Sequence, residues 1–248
     1  MRLPLIRISW AFRRQQPEYF KEKIVDIEEA IRTRMSIRDF KPDPVPKEIL
    51  KEILEIATRA PSAENSQPWE FTVIAGDVLD NVRQANMESL NSGAPSNPDL
   101  HAEGWPLGSV YRQRQVEIAK QIFQLMEIPR EDKEKRTHWM ERGFRYFNAP
   151  AAIIISVDRL AHYPRPLFDI GAVTQNICLA ALKYGLGTCI ENQGITYPEV
   201  LNKVAGIPAS KRMMISIAIG YPNYDFPANK VVSTREPVEN ITTWCGFE

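Results

Sequence analysis

Two stretches of this chain carry polar and charged side chains at spacings that suit ligand recognition. The first is Arg59-Ala-Pro-Ser-Ala-Glu-Asn-Ser-Gln-Pro-Trp-Glu-Phe71. Pro61 disfavours helical geometry at Ala60, so a preceding helix has to stop there. Between Pro61 and Pro68 lie Ser62, Glu64, Asn65, Ser66 and Gln67. Asn65 and Gln67 each offer a planar amide with two donors and one acceptor. Such a group can read a flat heterocycle that sets a donor beside an acceptor, as on the pyrimidine edge of a flavin. Ser and Asn are also ordinary turn residues, and local composition alone favours a plain polar turn. The second stretch is Arg34-Met-Ser-Ile-Arg-Asp-Phe40. In extended backbone alternate residues share a face, which would put Arg34, Ser36 and Arg38 together. Two guanidinium forks around a hydroxyl suit a phosphate. Cations stabilising a helix C-terminus give the same pattern, and these residues alone do not choose between the two.

The flanking patterns say what would position these stretches. Asp26, with Glu29 three residues on, has capping-box spacing and opens a helix whose Ile27, Ala30 and Ile31 should point inward. Pro46 suits a first helical turn, and Ile49, Leu50, Ile53, Leu54 and Ile56-Ala57 form an apolar stripe of helical period. That helix feeds the first stretch, and Trp69-Glu-Phe-Thr-Val-Ile-Ala75 reads as the strand leaving it. Gly76-Asp77 begins another helix. Residues 91–107 are rich in loop formers, and helices are expected at about 109–126 and 130–146. Residues 88–148 therefore read as an excursion from the core, either a lid over a pocket or a helical hairpin that enlarges a dimer interface. Ala151–Val157 is a buried strand, Leu167–Tyr184 a helix apolar enough to be central, Pro198–Val204 a short helix, and Met213–Gly220 a third strand. Residues 221–248 should be extended and largely irregular. The expected organisation is an N-terminal arm over 1–25, then a single domain over 26–248.

The totals narrow the function classes. The chain has 248 residues, 44% of them hydrophobic, with 31 basic residues balancing 31 acidic ones. No global field favours nucleic acid. The run Ala149–Val157 is too short to span a bilayer, so no integral membrane segment is expected. Cys178, Cys189 and Cys245 lack paired spacing, which fits free thiols in a reducing cytoplasm. Gly185-Leu-Gly187 follows a helix rather than a strand, so it does not support a Rossmann dinucleotide site. His101, His138 and His162 have no metal-ligand spacing, and no serine sits in a nucleophile elbow.

Taken together, the segments resemble the FMN-dependent nitroreductase family over roughly residues 26–245. The resemblance rests on Arg34-Met-Ser-Ile-Arg38-Asp-Phe, Ala60-Pro-Ser-Ala-Glu-Asn-Ser-Gln-Pro-Trp69, Gly185-Leu-Gly-Thr-Cys189, Ile219-Gly-Tyr-Pro222 and Arg235-Glu-Pro237. Tyr111-Arg-Gln-Arg114 with Gly143-Phe-Arg-Tyr-Phe-Asn-Ala-Pro150 is similar to the subgroup that includes nitrobenzoate reductases. The resemblance implies an α+β fold with a mostly antiparallel sheet flanked by helices, and an intertwined homodimer with FMN at its interface. Arg34, Ser36 and Arg38, with Met35 between them, would hold the phosphate end and the pyrimidine edge. Pro61, Ser62, Asn65 and Gln67 would face the ring from the partner subunit. Backbone amides near Glu191, Asn192 and Gln193 would approach N5 and O4, and Arg235 would meet the phosphate.

The implied activity is ping-pong reduction of a small aromatic, a nitroaromatic first of all, by NAD(P)H through flavin N5. Arg34 would act electrostatically, and no protein nucleophile is needed. Rival readings are reduction of an enone or a halogenated aromatic on the same fold, and a flavin-binding or flavin-delivering module without a dedicated substrate. Arg112 and Arg114 are candidate carboxylate binders, although solvated helix charges explain them better. Met35 stands where many members have Arg or His, and Ser233 where a phosphate-binding Lys is frequent. A charge-assisted phosphate contact is worth ~1.5–3 kcal/mol, so these departures imply a somewhat weaker hold on FMN.

Overall fold

A computed structural model describes residues 26–101, 103–162 and 164–247; the expected N-terminal arm lies outside the described residues. At the centre is a four-stranded sheet built from β1 (Glu70–Ala75), β2 (Ala151–Asp158), β3 (Gly187–Glu191) and β4 (Lys211–Gly220). Its order is β1-β2-β4-β3, and every neighbouring pair is antiparallel. The helices are α1 (Ile27–Thr33), α2 (Lys47–Ala57), α3 (Gly76–Asn91), α4 (Val110–Leu125), α5 (Lys133–Phe144), α6 (Pro166–Leu182), α7 (Pro198–Val204) and the short α8 (Val238–Ile241). This is the expected α+β architecture.

The sheet is covered on both faces, which explains why β2 is an unbroken apolar run rather than an alternating one. Ile153 and Ile155 point to one cluster, formed with Ile53 and Ala57 of α2 and Val173 and Ile177 of α6. Ala152 and Ile154 point to the opposite cluster, formed with Leu79 and Val82 of α3, Leu201 of α7 and Tyr146. Three of the four strands match the sequence expectation. The fourth, β3, was not foreseen, because five residues that begin Gly-Thr lack a clear period.

Asp26 caps α1 as expected, accepting from the amides of Glu28 and Glu29 at 2.9 and 3.3 Å. The inward face assigned to α1 needs correction. Ala30 is buried, but Ile27 and Ile31 are 73% and 55% exposed. A helix of seven residues that packs on α6 along one side buries one small residue and leaves the rest of its apolar surface uncovered.

Candidate functional site

The segment after α1 is extended, as the alternation at 34–38 requires. Ser36 bridges Thr188 in parallel, and the Ile37 amide donates to Thr188 O at 2.9 Å. The segment thus runs beside β3, with Ile37 turned into the core. Gly187 permits the approach, since a Cβ there would fall 2.5 Å from Ile37 Cγ1 and 2.8 Å from Pro222. Arg34, Ser36 and Arg38 are half-buried. Among the described residues the Arg34 guanidinium and the Ser36 hydroxyl make no hydrogen bond or ion pair, and Arg38 Nη1 reaches Ser36 O at 3.3 Å. Spare forked donors beside a sheet edge suit an anion. Met35, half-buried, packs against the core rather than offering a charge.

At the far end of β3 the chain turns through Glu191-Asn-Gln-Gly194. The Glu191 carboxyl is buried and closes this turn from inside. Its Oε2 accepts from the Gly194 amide at 2.7 Å, and Oε1 meets the Ser216 hydroxyl on β4. Burial pushes the carboxyl up to about 7, against opposing hydrogen bonds from Ser216 and the Gly194 and Gln193 amides. Of the amides expected to approach a ligand, that of Gln193 is therefore turned to Glu191, and Asn192 is the exposed residue of the turn. Gln193 is half-buried, and its Nε2 donates to Met140 O at 2.8 Å.

The loop between α2 and β1 is built stiffly. Glu64, Asn65 and Gln67 have φ of 55°, 57° and 46°. Asn tolerates this left-handed region, whereas Glu and Gln enter it at a cost that the surroundings must offset. The Gln67 amide donates to Ser62 Oγ at 3.0 Å, and the Ala63 amide donates to Asp169 Oδ1 at 3.2 Å. Asp169 is 3% exposed and sits in the first turn of α6. Sequence reasoning missed it, although a carboxylate in so apolar a helix was a usable signal. With the backbone fixed, Pro61, Asn65 and Gln67 face solvent and Ser62 is half-buried.

These segments do not converge within one chain. Residues 34–38 and 191–194 flank β3, while the loop at 61–67 leads into β1, and β1 and β3 are opposite edges of the sheet. Three strand spacings separate those edges, about 14 Å. Arg235 is exposed, with Nη1 donating to Ser233 Oγ at 2.9 Å and Thr234 O at 2.9 Å. Its segment is fastened to α4, where the Val232 amide donates to Gln121 Oε1 at 3.0 Å and Arg114 pairs with Glu236 at 2.6 Å. Arg114 is thereby engaged, and Arg112 donates to Gln115 at 2.6 Å. No group of His, Cys, Asp or Glu among the described residues could hold a metal ion. No described helix is long and apolar enough to cross a membrane.

The nitroreductase family profile matches residues 31–221. The chain belongs to the nitroreductase family. Among its relatives, a nitrobenzene nitroreductase of Ectopseudomonas oleovorans is 31% identical over 220 residues, covering 88% of this chain and 96% of the relative. A 4-nitrobenzoate reductase of Nocardioides sp. (strain LMS-CY) is 26% identical, covering 86% and 87%. The crystal structure of the FMN and NADPH-dependent nitroreductase NfnB from Sphigopyxis sp. strain HMH superposes with a TM-score of 0.85 at 26% identity, covering 90% of this chain and all of that one. Membership in the nitroreductase family accounts for the antiparallel sheet and its helical layers.

Proposed function

We propose that this nitroreductase-family protein is an FMN-dependent oxidoreductase that uses NAD(P)H to reduce a small nitroaromatic, and that it works as a homodimer. The observation that carries the reading is the half-buried Arg34–Ser36–Arg38 face, whose donors are not used up by acceptors among the described residues. Its chemistry fits a phosphate. Arg34, Ser36 and Arg38 would hold the phosphate end and the pyrimidine edge of FMN, with Arg235 a further phosphate contact. Pro61, Ser62, Asn65 and Gln67 belong to the opposite edge of the sheet, so a second copy is what would bring them, with the Asn65 and Gln67 amides, to the same site. The curated relatives named for nitrobenzene and 4-nitrobenzoate reduction support an aromatic acceptor.

Bound FMN would supply the redox chemistry, taking hydride from NAD(P)H and passing it to the acceptor in a second half-reaction. The protein's part is positional and electrostatic. Arg34 would place a fixed positive charge where negative charge builds at the pyrimidine edge. Glu191 holds the 191–194 turn in one shape. One open flavin face would serve donor and acceptor in turn, so no separate dinucleotide domain would be needed.

The deciding experiment is the visible spectrum of the purified protein before and after anaerobic NADH or NADPH, followed by turnover with 4-nitrobenzoate, an enone and a halophenol. A flavin band that bleaches, with turnover highest on the nitro compound, is expected. Bound flavin that stays oxidised would favour a flavin-carrying module instead. A colourless protein that refuses added FMN would overturn the site assignment.

A further inference from the structure

The end of α5 touches both candidate flavin-binding segments through separate sets of contacts. On one side Arg142 Nη2 donates to Arg38 O at 2.9 Å and to Asp39 Oδ1 at 2.5 Å. The Arg142 and Asp39 side chains are 21% and 15% exposed, so solvent screens the pair little. The guanidinium also lies over the Phe226 ring, 4.5 Å from its centroid. Asp39 is fixed in turn by Asn223 Nδ2 at 2.8 Å on its carboxylate and by Asn229 Nδ2 at 2.9 Å on its carbonyl. Asn229 Oδ1 accepts from the Arg38 amide at 2.6 Å, which closes the knot around the Arg34–Asp39 backbone.

On the other side, Met140 O accepts from Gln193 Nε2, and Tyr146 OH donates to Gly194 O at 2.7 Å. Gly143 lies so near that a Cβ would fall 1.8 Å from Gln193 Oε1. Tyr146, Phe147 and Asn148 have φ of 53°, 51° and 59°. Consecutive left-handed residues with bulky side chains are costly and persist where the surroundings over-determine them. Here the strain swings the fully buried Tyr146 ring under the 191–194 turn and aims its hydroxyl at Gly194. Arg83 secures the strained turn from outside, donating to Arg145 O at 3.0 Å and to Ala149 O.

We propose that the end of α5 is a spacer between the two halves of the flavin site: Arg142 positions the phosphate-side segment 34–39, and Tyr146 positions the ring-side turn 191–194. Both are positioning residues, and the inference rests on the flavin reading above. Losing Arg142 removes the donor to Arg38 O and leaves Asp39 to Asn223 and Asn229 alone, so the alignment of the phosphate donors loosens. Losing the Tyr146 hydroxyl leaves Gly194 O to Asn86 Nδ2 alone, 3.1 Å away, so the turn under the ring loosens.

The test compares affinities for FMN and for riboflavin, which has the same ring and no phosphate, by fluorescence titration of the full chain. Arg142→Ala should weaken FMN at least tenfold and riboflavin less than threefold, in line with a charge-assisted contact. Arg142→Lys keeps the charge without the fork, so it should show the same selectivity at smaller size and serves if the Ala variant does not fold. Tyr146→Phe should weaken both flavins by the same factor. Arg142 variants that weaken both flavins equally, or neither, would overturn the phosphate half; a Tyr146→Phe loss confined to FMN, or none, would overturn the ring half. A wild-type protein that binds neither flavin removes the underlying reading itself, an outcome distinct from either failure.

Discussion

Replacing Glu191 with Gln tests the electrostatics of the turn under the candidate site. The carboxyl lies at about 7 in the folded protein against an ordinary 4.5. The folded state therefore binds this proton more tightly than the unfolded chain does. Its contribution to stability is fully present below the unfolded value and disappears as pH rises through about 7. The whole gap is worth about 3 kcal/mol, most of which falls between about pH 5 and about pH 8. The buried neighbours do not titrate in this window. Burial holds the Tyr146 phenol well above its usual range and pushes the Cys189 thiol up to about 12. Gln at 191 can still accept from the Gly194 amide and donate to Ser216, so the turn should survive. Equilibrium urea unfolding at fixed protein concentration, followed by far-ultraviolet circular dichroism, gives the comparison. The wild type should lose about 2–3 kcal/mol more than the Glu191→Gln variant between the two pH values, other groups cancelling in the difference. A difference under about 0.5 kcal/mol, the usual error of such subtraction, would refute the buried-carboxyl argument.

Three shorter predictions follow from the same geometry. Gly194→Ala places a Cβ 2.4 Å from the Tyr146 ring and 2.7 Å from Glu191 Oε1, a clash with two buried side chains in a filled core. It should cost ~1–3 kcal/mol, and an unchanged melting temperature would contradict the packing described here. Cys178 and Cys189 are buried and Cys245 is exposed, so one thiol per chain should react quickly with Ellman's reagent and all three after denaturation; fast reaction of a second thiol in the native protein would show that the core beside Arg34 opens. Arg235→Ala should lower the flavin-to-protein absorbance ratio of the purified protein, and full retention would remove Arg235 from the site.

Where the sequence was legible, a single local rule decided the outcome. Pro61 ended α2 near where expected, the apolar run at 151–157 became the central strand, and the alternation at 34–38 became extended backbone. The candidate site residues stood out only through the family resemblance, because a polar turn accounts for 61–67 and a helix C-terminus for the arginines just as well. What escaped depends on tertiary context. Nothing in Tyr146-Phe-Asn148 announces left-handed backbone, since aromatic residues avoid it. Glu191 was picked for its backbone, and only the fold shows its side chain buried against Ser216. Arg142 looked like one more charge on a polar helix until the structure set it against Asp39, a hundred residues upstream.

The excursion at 88–148 divides at the loop between α4 and α5. α5 and the turn that follows it are tied to the rest of the protein by the part-buried Arg142–Asp39 pair, the buried Tyr146–Gly194 hydrogen bond and the exposed Gln193–Met140 contact, each worth about 1 kcal/mol net and more where charged. Lifting α5 would break them together and release the strained turn behind it. α4 is different: Ile122 is its one buried residue, and its ties to the C-terminal segment are the exposed Arg114–Glu236 pair and the Gln121 contact. An exposed ion pair adds ~0–1 kcal/mol, and the Arg136 guanidinium of α5 lies 4.6 Å over the Phe123 ring of α4, so α4 parts from the body at less cost than α5 does. Asp99 is fastened to Arg159 and to the Met213 amide, so any gating motion of the excursion would belong to residues 103–125, where Trp105 and Tyr111 stack on each other with half their surface open to solvent. Native-state hydrogen exchange reads this directly. Amides of 114–125 should exchange at least tenfold faster than those of 137–144, and equal protection would mean that α4 and α5 move as one body.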